Sequence, residues 1–453
     1  MKIKNIFKYL VVSALVVQLT ACTSTEVEQK FDKTPTERLN EKKSELKDAL
    51  LASPDGWKAV YFTDDTQLGG FTHLFKFTAD GKVEMASDFD ATTTSKLTSE
   101  YDIQLGSTVS LVFTTKNRIH LLSDSSPQSN PTPALLGKGY LGDFQFLYYG
   151  QENGELIFRA NRTAGEGNSK EIRFVKATAQ DWTDLPKNIA MMANVIGANT
   201  RPLFRLFETN DGTTKHQFDF GFAPRPRFST ANSIEAGSTA TNNMGIAYTP
   251  TGITVSPAVE VGGQKLKDFV YNATDGSFTA TGTNGVTATI KYSTVPLVLT
   301  DDYKNLLVGK PQMVFAYIAA NLATAPSNSA YYNNLIAKVN ATLPANQQIA
   351  RVQIVFNNAV NGTYIQYQFN GGKATITHFV TTKEDAVNKT IILTDDGWTH
   401  NLATRSFLLE LDAELTNPKG LYVKREAFRI TFSNTIYTFT SAASNFRMTS
   451  YQL

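Results

Sequence analysis

The stretch "FTHLFKFTADGKVEMAS", Phe71 to Ser87, places two alternating runs of residues on either side of a turn. Aromatic side chains occupy every second position of the first run, and Val83 and Met85 continue the alternation after the turn. This period of two is typical of a strand with one buried face, and Gly81 supplies the backbone freedom that a tight hairpin turn needs. The stretch therefore predicts an antiparallel β-hairpin.

Further short strands are predicted around this hairpin. Before it, Thr34-Pro35-Thr36-Glu37 is a capping box that starts a helix ending near Leu51, and "WKAVYF" follows as a strand. After it, alternating or apolar runs predict strands at residues 101–105, 111–114, 119–122, 144–149, 156–160 and 172–175. Sequential strands at this spacing favour a mainly β fold, an antiparallel up-and-down, lipocalin-like barrel or sandwich with an N-terminal helix, over residues 34–182.

A second β-rich domain is expected over residues 198–453, after a mixed connector at 180–197. Hairpin patterns recur in "AYTPTGITV", "FVYNATDGSFTATG" and "FNGGKATI". Residues 301–343 interrupt them and predict a helical insertion. Within this insertion, "MVFAYIAANLA" is interpreted as a buried helix too short to span a membrane, and "SAYYNNLIAKVNA" as an amphipathic helix.

Composition narrows the function classes. The chain has 453 residues, of which 42% are apolar and 19% charged, as in a folded globular protein. Its formal net charge is +2 and it contains no block of basic residues, which argues against a nucleic-acid partner. Cys22 is the single cysteine, so no disulfide framework is expected.

The N-terminal segment predicts the location of the protein. Three lysines precede the apolar run Leu10 to Leu19, which has the length of a signal-peptide core. Leu19-Thr20-Ala21-Cys22 then resembles the lipobox of bacterial lipoproteins. The resemblance implies that residues 1–21 are a signal peptide, that Cys22 carries acyl chains binding the membrane, and that residues 22–33 form a tether. We expect the outer membrane, and the acidic residues after Cys22 favour its cell-surface face over its periplasmic face.

One family resemblance covers the first predicted domain. The capped helix with Glu37-Arg38-Leu39, the strand start Gly56-Trp57 and the aromatic strand leading into Asp80-Gly81-Lys82 resemble the domain of unknown function 4302 family. The similarity continues to about residue 178 through "EYDIQL", "VSLVFTT" and "GELIFRA". The resemblance implies a Bacteroidota lipoprotein in the setting of outer-membrane nutrient uptake. It implies no catalytic residue, because the shared motifs are a cap, a turn and strand alternation.

Motifs for catalysis, cofactors or metals are not found. The five histidines form no HExxH or HxH pair, and there is no GxSxG or P-loop motif. The GxGxxG match from Gly137 to Gly142 follows a proline-rich loop and precedes a strand, so we interpret it as a loop rather than a dinucleotide site. His73, His216 and His378 alternate with apolar residues and are interpreted as core histidines with satisfied hydrogen bonds. We predict no catalytic, cofactor-binding or metal-binding residue.

Three acidic pairs, Asp88/Asp90, Asp301/Asp302 and Asp395/Asp396, have residue types suited to a glycosidase or calcium site, but helix caps and solvated turns are the commoner use. Two Asp-Gly-Trp motifs, ending at Trp57 and Trp398, are interpreted as turns, with sugar-stacking platforms as the alternative. The leading hypothesis is a non-enzymatic, lipid-anchored binding or accessory protein that captures a glycan or peptide or assists an outer-membrane transporter. A hydrolase using acidic residues and a structural or adhesion protein are the alternatives.

Overall fold

The computed structural model describes residues 33–162 and 171–453. Within these residues the strands form three closed antiparallel barrels of eight strands each, and within each barrel strand order follows chain order. The predicted mainly β class and the antiparallel barrel architecture are confirmed. Residues 198–453, predicted as one β-rich domain, contain two of these barrels. Cys22, the predicted signal peptide and almost all of the predicted tether lie outside the described residues.

The first barrel begins with helix α1, Pro35–Leu51, which starts at the predicted capping box of Thr34 and Glu37. Its buried residues Leu46 and Leu50 pack against the barrel, and the Trp57 indole donates a hydrogen bond of 3.0 Å to the carbonyl of Leu50. The strands are β1 Trp57–Phe62, β2 Gly70–Phe77, β3 Lys82–Ser87, β4 Leu97–Leu105, β5 Val109–Phe113, β6 Gln145–Glu152, β7 Glu155–Ala160 and β8 Glu171–Lys176. The opening hairpin is β2–β3, as predicted.

The second barrel follows helix α2, Ala179–Ile196, which occupies the segment predicted as a mixed connector. Thr178 and Asp181 form a capping box at its start. Asp181 takes the place where Glu or Gln is commoner, so this segment does not match the usual capping-box motif. The strands are β9 Phe204–Asp211, β10 Lys215–Ala223, β11 Phe228–Ser233, β12 Met244–Thr249, β13 Gly252–Val261, β14 Gln264–Tyr271, β15 Phe278–Thr281 and β16 Val286–Ser293.

The third barrel contains α-helical insertions between its strands. Its strands are β17 Met313–Ile318, β18 Ile349–Asn358, β19 Gly362–Phe369, β20 Ile376–Asp385, β21 Thr390–Trp398, β22 Leu421–Arg425, β23 Ile436–Ser441 and β24 Arg447–Gln452. Its helices are α3 Ala319–Leu322, α4 Ala330–Ala341, α5 Leu402–Arg405 and α6 Leu409–Leu415. Helix α4 is the predicted amphipathic helix. Among the described residues, no helix combines the length and apolar character needed to span a membrane.

Two element predictions are wrong. The apolar run "MVFAYIAANLA" contains β17 and the four-residue helix α3, because its first half pairs with both β18 and β24 and so closes the barrel. Residues 119–122, predicted as a strand, lie in a 3-10 helix, Arg118–Ser123. Asn117 stabilises that turn, since its side chain accepts a hydrogen bond of 2.7 Å from the backbone N–H of Arg118. Short apolar runs fit either element until pairing partners are known.

Side chains fill the barrel interiors. In the first barrel, Phe75 stacks on Phe174 with ring centroids 4.7 Å apart and on Phe113 at 5.4 Å. In the third barrel, Phe315 meets Phe439 at 5.4 Å across the interior. Each barrel has its own cluster of buried apolar residues. The barrels are therefore packed cores, and the lipocalin comparison does not extend to an open calyx in their interiors.

A buried ion pair joins the first barrel to the second. Arg227 donates from Nη1 to the Asp88 carboxylate at 3.0 Å and to the carbonyl of Gly70 at 3.0 Å. Its guanidinium lies between the rings of Phe71, 3.9 Å away, and Tyr248, 4.5 Å away. The side chains of Arg227 and Asp88 are 4% and 0% exposed. This desolvated ion pair thus joins the two barrels, together with other hydrogen bonds such as that from the Gly69 N–H to the Pro226 carbonyl at 2.7 Å.

Candidate functional site

A cleft of about 550 Å³ lies between the second and third barrels. One wall is the start of β9 with part of β10, another comprises β22, β23 and the start of β24, and the segment joining the barrels covers it. Clefts between domains are common ligand sites, because walls from separate units enclose a ligand without disturbing either core. The residues that line the cleft include Phe204, Arg205, Asp219, Phe220, Val298, Thr300, Lys389, Tyr422, Lys424, Glu426, Phe428, Thr438, Thr440 and Arg447.

Arg205, the second residue of β9, lines this cleft. Its guanidinium carbon lies 4.8 Å from the Phe220 ring centroid and 5.2 Å from that of Tyr292. Nη1 donates to the carbonyl of Val195, whereas Nε and Nη2 are buried and have no hydrogen-bond partner among the described residues. Burial lowers the pKa of Arg205 from its ordinary value, because desolvation disfavours the charged form. The guanidinium group is therefore fixed by these contacts, and its Nε and Nη2 donors remain without hydrogen bonds among the described residues.

Arg447 reaches the same cleft from the first residue of β24. Its Nε donates a hydrogen bond of 2.6 Å to the carbonyl of Ser327, and its guanidinium carbon lies 5.8 Å from the ring centroid of Phe204. Phe204 immediately precedes Arg205, so Arg447 contacts the second barrel at the residue next to Arg205, and both arginines line the same cleft. Burial lowers the pKa of Arg447, although the charge of Glu426 opposes this effect. Neither arginine forms an ion pair within the described part of the chain.

The remaining charges of the lining are partly neutralised. Lys424 pairs with Glu426 at 3.4 Å, and Lys389 pairs with Asp301 at 3.4 Å. Counting Asp219 as well, the lining holds four cations and two carboxylates. The lysines have carboxylate partners and the arginines have none within the described residues, so the excess positive charge of the cleft is concentrated at the two guanidinium groups.

Rings and hydroxyl groups make up much of the remaining wall. Phe204, Phe220, Tyr422 and Phe428 provide aromatic surface, and Thr300, Thr438 and Thr440 provide hydroxyls. Thr438 already donates to Glu426 at 2.8 Å, and Thr300 donates to Asp302 and Val423. Aromatic surface with a few placed polar groups is the usual lining of a small-molecule or oligosaccharide site.

The structure gives the predicted core histidines three different environments. The ring nitrogens of His378 lie 2.7 Å from Asp395 Oδ1 and 2.8 Å from Asp412 Oδ1, and Trp398 stacks on the ring at 3.9 Å. His73 is also buried, but neither of its nitrogens has a partner within the described residues. His216 is exposed and pairs with Glu235 at 3.1 Å. The interpretation as a satisfied core histidine therefore fits His378 alone.

Most members of the predicted acidic pairs have structural partners. Asp88 binds Arg227, and Asp90 accepts hydrogen bonds from the backbone of Thr92 and Thr93 in a turn. Asp302 accepts from the backbone of Arg425 at 2.8 Å, while Asp301 pairs with Lys304 and Lys389. Asp395 accepts from His378, and Asp396 lines a shallow depression at one end of the third barrel. The structure does not gather these pairs into one site.

The structure also shows where the glycine-rich match and the two Asp-Gly-Trp motifs lie. Gly137 to Gly142 lies in a turn region before β6, as predicted. Trp57 is buried and Trp398 packs on His378, so the turn interpretation accounts for both motifs. In the described ranges, no group of three or more His, Cys, Asp or Glu residues is arranged to hold a metal ion. Cys22, the predicted lipidation residue, lies outside those ranges.

Sequence reasoning missed the residues that define the cleft. Arg205 and Arg447 are far apart in the chain and share no motif. The available signal was local: each arginine is the first or second residue of a strand and follows a phenylalanine. That pattern is common in β proteins and identifies no site without the fold.

Comparison with known proteins identifies a matching protein family. A family model described as "Domain of unknown function (DUF4302)" matches residues 27–273, which include the first barrel and most of the second. No curated protein matches the chain.

Proposed function

Because the chain belongs to the domain of unknown function 4302 family, whose description states no activity, we propose a function from the cleft: a lipid-anchored cell-envelope protein that binds a ligand between its second and third barrels. The observation that carries this proposal is a cleft of about 550 Å³ between two barrels, whose lining holds two arginines that have no carboxylate partner within the described residues. Such groups are costly to desolvate, and a bound ligand would satisfy them.

Binding accounts for the cleft better than hydrolysis does. The acidic pairs that suggested a hydrolase are mostly engaged in turns or ion pairs, as with Asp88 and Arg227. Asp219 and Glu426 do line the cleft, but Glu426 already accepts from Thr438 and pairs with Lys424. The hydrolase alternative makes a separate claim: purified protein would cleave the oligosaccharide it binds, and Asp219→Asn would abolish the cleavage.

A cleft-blocking variant tests where the ligand binds. Val298 lies on the cleft wall and is 50% exposed, so Val298→Trp should place a bulky ring in the opening and weaken binding to a panel of oligosaccharides and peptides at least tenfold. Val295→Trp is the matched control, since Val295 is 40% exposed on the same segment outside the cleft lining. Equal binding by both variants in calorimetry would place the ligand elsewhere.

The anchor is proposed from the sequence of the N-terminal segment. Cys22 follows Leu19-Thr20-Ala21 in a lipobox-like order, which supports acylation at Cys22 and loss of residues 1–21. Cys22→Ser should abolish labelling by a palmitate analogue and move the protein from the membrane fraction to the soluble fraction. A Cys22→Ser protein that remains membrane-bound would contradict the anchor.

We propose that the protein is anchored in the outer membrane and faces the cell surface. We further propose that it takes part in nutrient uptake and that its partner is an outer-membrane transporter. Digestion of whole cells with a protease that cannot cross the outer membrane tests the face: the barrels should be degraded while a periplasmic marker survives. Crosslinking followed by purification should recover a transporter. Recovery of adhesion or surface-layer proteins would favour the structural alternative.

A further inference from the structure

We infer that the ligand of the cleft is an acidic oligosaccharide, whose carboxylate or sulfate group is held between Arg205 of the second barrel and Arg447 of the third. This inference rests on the proposed function, because it names the class of ligand for the same cleft. The first support comes from the ion pairs of the four cationic side chains that line the cleft. Both lysines have carboxylate partners, whereas both arginines lack one within the described residues.

The positions of the two guanidinium groups favour recognition of an oxyanion. Arg205 is fixed by its contacts with the rings of Phe220 and Tyr292 and by the carbonyl of Val195. Arg447 is fixed through Nε by the carbonyl of Ser327. Each side chain is therefore ordered before a ligand arrives, which reduces the entropy lost on binding. A planar guanidinium with free N–H groups matches a carboxylate or sulfate better than a lysine ammonium does.

The walls around the arginines indicate a sugar. Phe204, Tyr422 and Phe428 offer aromatic faces of the kind on which the C–H surface of a pyranose ring stacks. Asp219 is a carboxylate acceptor in the lining with no side-chain partner among the described residues, and sugar hydroxyls are donors that suit it. A purely anionic ligand without hydroxyl groups would leave Asp219 as a repulsive neighbour.

An acidic peptide fits the same charges less well. Extended peptides commonly bind by adding a strand to an open sheet edge. In the described residues, the sheets that flank the cleft are closed barrels, so they present no such edge. We therefore expect the cleft to bind an acidic oligosaccharide more tightly than an acidic peptide.

The experiment compares oligogalacturonate with its fully methyl-esterified form, which keeps the sugar chain and removes the charge. Calorimetry on the full protein should show at least tenfold tighter binding of the acidic form, with the difference shrinking at high salt. Arg205→Gln and Arg447→Gln should each weaken binding of the acidic form by roughly ten- to a hundredfold, the range for a charge-assisted hydrogen bond. They should leave binding of the neutral form within about threefold.

Two further variants make the result specific. Arg201→Gln is the matched control, because Arg201 bonds to the carbonyls of Ala273 and Thr274 outside the cleft lining. Arg205→Lys keeps the charge without the planar fork and should recover only part of the affinity. Thermal unfolding of each variant shows whether the barrels remain folded, and Arg447→Gln carries the test if Arg205→Gln does not fold.

The outcomes separate the inference from the proposed function. Equal affinity for both forms, unaffected by the arginine substitutions but lost in Val298→Trp, would overturn the acidic class and leave the binding function standing. No binding by either form or by any member of the wider panel would overturn both. Tighter binding of a polyglutamate peptide than of oligogalacturonate, still dependent on both arginines, would overturn the inference that the ligand is a sugar. It would leave standing the inference that the two arginines bind an anionic group.

Discussion

At the residue scale, burial decides what each ionisable side chain contributes. His378 contacts two carboxylates at nearly equal distances, but the Asp412 side chain is 7% exposed and that of Asp395 is 70% exposed. Tyr367 also donates to Asp412 at 2.7 Å. Both carboxylates bind the same ring, yet water solvates only one of them. Their energetic roles therefore differ.

Removing His378 should destabilise the third barrel strongly. His378→Ala removes a hydrogen-bond partner of the buried Asp412 carboxylate and leaves only Tyr367 on that oxygen, and losing a hydrogen bond to a buried charged group costs about 1.5–3 kcal/mol. Asp395→Asn, which changes the exposed partner, should cost less than about 1 kcal/mol. Urea unfolding followed by tryptophan fluorescence measures both changes. Similar losses in the two variants would contradict a role for burial.

Buried His73 should make stability depend on pH. Burial, with the nearby charge of Arg227, lowers the pKa of His73 to about 3, whereas an unfolded histidine titrates near 6.5. As the pH falls below 6.5, the unfolded chain takes up a proton that the folded chain does not, so the free energy of unfolding decreases. The loss should reach about 2 kcal/mol at pH 5.

The measurement is the change in unfolding free energy between pH 7.5 and pH 5 in the native protein and in His73→Leu. The variant should lose this part of the pH dependence, whatever its stability at pH 7.5. His400→Leu, at a partly exposed residue, is the control. An unchanged pH dependence in His73→Leu would show that His73 is protonated in the folded state or that other groups dominate.

At the element scale, local sequence signals predicted the helices and hairpins that carry their own cap or turn. The Thr34 capping box gave the start of α1, and Asp80-Gly81 gave the turn of the β2–β3 hairpin. The run from Met313 carried no such signal, and its conformation depends on pairing with β18 and β24. That pairing is set by residues more than thirty positions away, which periodicity does not report.

The cap of α2 offers a local test. Thr178 Oγ1 accepts from the backbone N–H of Asp181, and the Asp181 side chain accepts from the backbone N–H of Thr178. Thr178→Ala should cost about 1 kcal/mol and accelerate hydrogen exchange of the first-turn amides by roughly fivefold. Thr183→Ala, which removes a hydroxyl bonded within the helix to Ala179, should leave those amides nearly unchanged.

At the scale of the whole molecule, the sequence predicted β-rich domains but not the number of barrels or the cleft between two of them. Asp88 appeared beforehand as half of an acidic pair, and its partner Arg227 lies 139 positions away in the next barrel. Arg205 and Arg447 are likewise brought together only by the folded barrels. Contacts between barrels carry no local pattern, so composition and periodicity do not reveal them.

The Asp88–Arg227 contact should make the first two barrels unfold together. Arg227→Met removes the cation from a fully buried carboxylate and should cost about 3–5 kcal/mol. Calorimetry should then show the shared transition of these barrels split into two, with the transition of the third barrel unmoved. Adding Asp88→Asn should recover part of the loss. A single unsplit transition in Arg227→Met would indicate that the remaining contacts suffice for coupling.

The closure of the second barrel also determines where the chain can be divided. The family match ends at residue 273, after β14, whereas β15 and β16 complete the circuit by pairing β16 with β9. A fragment ending there would leave the backbone groups of β9 and β14 unpaired, and such strands recruit other chains. We expect residues 33–273 to aggregate and residues 33–300 to remain monomeric in size-exclusion chromatography. The family match thus ends inside the second barrel. The hydrogen bonds that close the barrel, rather than the matched range, define the fragment that can be inherited or engineered intact.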